Sequence, residues 1–85
     1  MPMKQLEYES MIITAAAFEV ARSGRFVVSL TIARTSEQGV ANRKLFDPPL
    51  PEVDGNRVAE ALESTIDFGR AIVDGDVAGC TVKDL

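Results

Sequence analysis

At 85 residues, 46 % hydrophobic and 26 % charged, the chain is long enough for one domain with a thin core and too apolar for general disorder. It contains no histidine and one cysteine, Cys80, so the commonest general base and nitrogen ligand are missing and an intrachain disulfide is excluded. The net charge of −4 divides unevenly, with six basic and four acidic groups in residues 1–44 against three and nine in residues 45–85. No apolar run approaches the roughly 20 residues of a membrane-spanning helix. The first ten residues, MPMKQLEYES, lack the apolar block of a secretory leader, so the expected location is the cytoplasm, with no membrane partner.

The first predicted strand covers about residues 8–21. Met11 to Ala21 could be drawn as a helix, but Ile12, Ile13, Thr14, Phe18 and Val20 favour strands, and Ser23-Gly24 signals a turn. A second strand over about residues 25–34 alternates, placing Phe26, Val28, Leu30 and Ile32 on one face and Val27, Ser29, Thr31 and Ala33 on the other. A three-residue loop, Arg22-Ser23-Gly24, aligns the large apolar residues: Val20 with Phe26, Phe18 with Val28, Ala16 with Leu30. It also puts Gly24 at the left-handed position that this loop class uses. A two-residue loop would send the two apolar sets to opposite faces, which a half-buried sheet rejects. On this register Ala16 points to the core, and the second face collects Ile13, Ala15, Ala17, Glu19, Val27, Ser29, Thr31 and Ala33.

TSEQGVAN reads as a polar connection. RKLFD follows as a third strand over about residues 42–47, stopped by PPLP, which removes backbone donors; whether Leu45 or Phe46 faces the core stays open. The proline run serves as a stiff connector rather than a polyproline ligand. A helix over about residues 55–74 carries Val58, Ala61, Leu62, Thr65, Ile66, Gly69, Ile72 and Val73 as one apolar stripe. Asp54 or Asn56 is placed to cap its start and Gly75 to stop it. Gly69 on the stripe costs roughly 1 kcal/mol against alanine and predicts a close approach to the sheet. Residues 75–85 fit a frayed tail, an edge strand, or a cover for the second sheet face. The whole is a single α+β domain: a three-stranded antiparallel β-meander with one C-terminal helix on one face, in the order β-β-β-α.

Chemistry is sparse. Cys80 has no histidine or second cysteine with which to form a nucleophile pair or zinc site. Asp74-Gly75-Asp76 opens like a calcium loop, but its twelfth position is Leu85 instead of a bidentate glutamate. No nucleophile elbow and no phosphate-cradling glycine pattern occurs. Glu60, Glu63 and Asp67 share a helix flank, which reads as a solvated face. The expectation is a protein that is not an enzyme, with no catalytic residue, metal or cofactor.

These parts, in this order, resemble a set of small uncharacterised bacterial proteins of β-β-β-α arrangement. The matching stretches are Tyr8 with YESMIIT, the turn and strand SGRFVVSLTI, KLFDP, and the helix end FGRAIVDG. The resemblance spans about residues 8–75 and implies a fold and self-association. It brings no substrate, cofactor or catalytic residue.

Two functional readings follow. The favoured one is a homodimeric binding or assembly module, its partner a second copy or another protein, with Ile13, Ala15, Ala17, Val27, Ser29, Thr31 and Ala33 as the dimer interface. An apolar sheet face is not left to water. The alternative is a nucleic-acid binder using Arg22, Arg25, Arg34, Arg43 and Lys44, the basic groups of the sheet and hairpin.

Overall fold

The computed structural model describes residues 2–36 and 39–85. Strands β1 (Met3–Tyr8), β2 (Met11–Glu19), β3 (Arg25–Ser36), β4 (Gly39–Phe46) and β5 (Glu52–Asp54) form one antiparallel sheet. A single 3₁₀ turn, Gly55–Arg57, leads into helix α1 (Val58–Val73). Strands β1 to β4 lie side by side in chain order. β5 pairs with Arg25–Val27 of β3, end to end with β4, which pairs with Leu30–Ser36. The expected class holds, an α+β fold with an antiparallel sheet and one C-terminal helix, but the sheet has more strands than the three anticipated. The expected connection at residues 37 and 38 lies outside the described residues.

β1 is the element that the pattern did not announce. MKQLEY alternates as a strand should, but the turn after it is Glu9-Ser10, with φ of 53° and 63°. Two left-handed residues make the hairpin turn that suits sheet twist, yet neither is glycine or asparagine, so the usual sequence signal is absent. Tyr8 and Met11 close this turn, and Leu6 pairs with Ile13.

The β2–β3 loop corrects the predicted register. It has four residues, Ala21–Gly24, instead of three. The Val20 N–H donates to the Arg25 carbonyl (2.9 Å), and the Ser23 N–H to the Val20 carbonyl (2.9 Å). Ala21 and Arg22 both take left-handed φ, and Gly24 does so at 78°. The Glu19 carboxylate accepts the Gly24 N–H, and the Ser23 hydroxyl accepts that of Arg25. One extra loop residue moves the whole of β2 to the other face. The observed pairs are Ala17 with Val28, Ala15 with Leu30 and Ile13 with Ile32.

The core therefore takes Ile13, Ala15 and Ala17, all fully buried, together with Val28, Leu30 and Ile32. Phe18 and Val20, expected inside, are exposed. α1 lies chiefly across β2 and closes the core with Val58, Ala61, Leu62, Ile66 and Ile72. Ala15 and Ala17 are fully buried on the face that the helix covers. A Cβ on Gly69 would stand 2.5 Å from Ile13 Cγ2 and 3.3 Å from Leu30 Cδ1, so only glycine fits there. Thr65 shares the buried stripe with its hydroxyl unpartnered among the described residues, an arrangement costing roughly 1–3 kcal/mol.

The helix ends as expected. The Gly75 N–H donates to the Ile72 carbonyl and the Asp76 N–H to that of Ala71, which satisfies the last turn. Its start differs: no side chain caps it. The Asp54 carboxylate instead accepts the Arg25 Nη1 (2.7 Å), and its neighbour Glu52 accepts Nε (2.7 Å).

The segment after Gly75 packs on the helix side, neither as an edge strand nor over the second face. Val82 is buried in the core, and Val77, Cys80 and Leu85 pack against it. Lys44 Nζ reaches the Asp84 carboxylate (3.2 Å) and the Thr81 carbonyl (3.3 Å), and Arg34 Nε donates to the Leu85 carbonyl (2.6 Å). Phe46 turns to this side, opposite Leu30, while Leu45 faces away.

Candidate binding surface

The face of the sheet away from α1 is built from alternate residues of the five strands. The register sets them in rows. Glu7, Ile12, Ala33 and Arg43 form one, and Gln5, Thr14, Thr31 and Leu45 the next. Met3, Ala16 and Ser29 follow, then Phe18, Val27 and Glu52. The centre is small and weakly polar, with a shallow depression of about 130 Å³ lined by Gln5, Ile12, Thr14, Thr31, Ala33 and Arg43. The large apolar residues stand around it: Met3 is 55 % exposed, Phe18 46 %, Val27 43 % and Leu45 73 %. Four large apolar side chains exposed on one face of a small sheet make it the candidate binding surface.

Of the seven residues expected on this surface, Val27, Ser29, Thr31 and Ala33 do lie on it. Ile13, Ala15 and Ala17 do not: they sit on the opposite face, fully buried under the helix, because the four-residue loop shifts β2 by one position. Their places are taken by Ile12, Thr14, Ala16 and Phe18. Met3, Gln5 and Glu7 join through a strand that the sequence pattern did not reveal.

The five basic residues do not gather into one patch. Arg22 is exposed in the β2–β3 loop. Arg25 is held by Glu52 and Asp54, whose hydrogen bonds and charge raise its pKa above the ordinary arginine value. Arg34 and Lys44 belong to the helix side and bind the C-terminal segment. Arg43 alone of the sheet's arginines stands on the open face with no ion pair among the described residues. Among the described residues Phe18 carries the one aromatic ring on that face, whereas single-stranded nucleic acid is held by several stacking platforms along a basic groove.

The helix side offers little chemistry. A groove between β1 and α1 is lined by Lys4, Glu63, Asp67 and Arg70, but Lys4 pairs with Glu63 (3.3 Å) and Arg70 with Asp67 (3.8 Å). The Tyr8 hydroxyl donates to the Asp74 carboxylate (2.8 Å), which with burial pushes the phenol above its ordinary pKa, and the Arg70 guanidinium lies over its ring. Among the described residues no three His, Cys, Asp or Glu side chains converge on a metal position. No helix among them is long and apolar enough to cross a membrane.

In comparisons with known proteins, the chain matches no family model, no curated protein and no solved structure.

Proposed function

We propose that the chain is a non-catalytic assembly module that docks on a second copy of itself through the open face of its sheet. The observation that carries this reading is the exposure of Met3, Phe18, Val27 and Leu45 on that one face. Stacked sheets pack about 10 Å apart with their inner side chains interdigitating, and a face of small residues beside a few larger exposed ones suits that packing. Four strands spaced about 4.8 Å apart present a footprint on the order of 500 Å². Two copies would together bury on the order of 1,000 Å², the lower bound for a specific interface. An interface of that size lies at the low end, where transient encounters sit, so dissociation on dilution is the expected behaviour.

Sedimentation of the parent and of Val27→Arg across a dilution series tests this. Val27 is exposed, so its replacement leaves the protomer folded. The parent is expected to form dimers at high micromolar concentration and to dissociate on dilution. Val27→Arg is expected to stay monomeric, with the melting temperature that the parent shows at dilutions where it too is monomeric. A parent that is monomeric throughout would overturn the reading. So would salt-sensitive binding of a single-stranded oligonucleotide by the same face.

A further inference from the structure

Resting on the assembly reading above, we infer that the two copies are related by a two-fold axis parallel to the strands, running between β2 and β3, so that Glu7 of each protomer pairs with Arg43 of the other. The register carries the argument. Glu7 pairs with Ile12, Ile12 with Ala33 and Ala33 with Arg43, so one row runs from a carboxylate on one edge strand to a guanidinium on the opposite edge. Both residues are exposed, and neither has an ion pair among the described residues. Three strand spacings put them about 14 Å apart within one protomer, too far to meet. The other charges of this face, Arg25, Glu52 and Asp54, are already paired with one another.

A two-fold axis along the strands keeps each row in place and exchanges its ends. Glu7 then lies opposite the second copy's Arg43, and the reverse, giving two equivalent ion pairs. The same operation stacks each central pair on its own reverse. Ile12 meets Ala33 of the second copy, and Phe18 meets Val27, so large side chains lie against smaller ones. Sheets about 10 Å apart leave a gap that an extended arginine and a glutamate span together. Aligned sheets cross at about −30°, which displaces the edge rows by about 4 Å, within the reach of the arginine stem. A two-fold axis across the strands does less. It carries Arg43 toward Glu52, which is already bound to Arg25, and leaves Glu7 without a counterpart.

Charge reversal distinguishes these arrangements. Glu7→Arg and Arg43→Glu are each expected to raise the dimer dissociation constant about tenfold or more, since each sets like charges face to face. The double variant Glu7→Arg/Arg43→Glu is expected to return within about threefold of the parent. If Arg43→Glu weakens the dimer while Glu7→Arg has no effect, the axis runs across the strands and this inference is overturned. If the parent dimerises and Val27→Arg abolishes it, but neither reversal matters, the axis is again wrong while the assembly reading stands. A monomeric parent overturns both.

Discussion

The two faces of the sheet are made from similar residues and put them to opposite use. Toward the helix, Ala15 and Ala17 lie beside Ile13, Leu30 and Ile32, and every one of these is buried. On the open side, Ala16 and Ala33 lie among Thr14, Ser29 and Thr31, and the large side chains Phe18, Val27 and Leu45 are exposed. Small residues on the first face admit a helix, since Gly69 has no room for even one methyl group against Ile13. Small residues on the second leave a shallow floor with no cover from the chain's own described residues. Composition does not tell these faces apart. What separates them is which one lies under the helix, and that depends on a single loop residue.

The sharpest way to break this comparison is to put the same charge on adjacent alanines. Ala17→Arg buries an unpaired cation beneath α1, at a cost on the order of 5 kcal/mol, comparable with the whole stability of a small domain. It is expected to show no cooperative thermal transition. Ala16 is itself 7 % exposed, between Met3 and Ser29, but it points to the open face, so an arginine stem there can lead its charge out to water. Ala16→Arg is expected to cost clearly less than Ala17→Arg, about 1–2 kcal/mol. Circular dichroism melts of the two variants decide it, and a parent-like melt for Ala17→Arg would reverse the face assignment.

A smaller effect probes how closely the helix lies on β2. Gly69→Ala gains about 1 kcal/mol of helix propensity in isolation. Here the new methyl collides with Ile13 Cγ2, and overpacking of this kind costs typically about 1–3 kcal/mol. The net result is expected to be a melting temperature lower by a few degrees, at about 4–8 °C per kcal/mol for a domain of this size. A higher melting temperature would mean the layers separate readily.

The smallest effect concerns the segment that covers the helix side over β4. The Lys44 hydrogen bond holds the Asp84 carboxyl below its ordinary pKa. A carboxylate with a depressed folded pKa adds stability that is complete above its unfolded pKa and is lost as pH falls through the folded value. The parent should therefore melt slightly above Asp84→Asn at neutral pH, and the gap should close on acidification below the ordinary carboxylate range. A gap that persists unchanged in acid would show that the ion pair is not its source.

Much of the architecture was legible because its signals are local. The stripe from Val58 to Ile72 repeats at the helical period, Gly75 stops the helix, and β3 alternates from Phe26 to Ile32. What escaped was carried by conformation that sequence does not display. Glu9-Ser10 and Ala21-Arg22 adopt left-handed turns without glycine or asparagine, so one hairpin had no marker and the other appeared one residue shorter than it is. The candidate surface inherited that error. Val27, Ser29, Thr31 and Ala33 were assigned to the correct face from β3 alone, whereas every residue taken from β2 was assigned to the wrong one.

The order of the sheet has a consequence for how the chain folds. β1 to β4 each pair with the strand next to them in sequence, so each hairpin closes only a short loop and loses little chain entropy. Such neighbour pairing keeps the contacts of β1 to β4 short in sequence, and the pairing of β5 with β3 is the sheet's exception. The helix is different. Seating Gly69 on Ile13 closes a loop of more than half the chain, and the core exists only once that loop is closed. The meander thus supplies the contacts of low entropic cost, and the helix's return to β2 is the long-range step on which the finished fold depends.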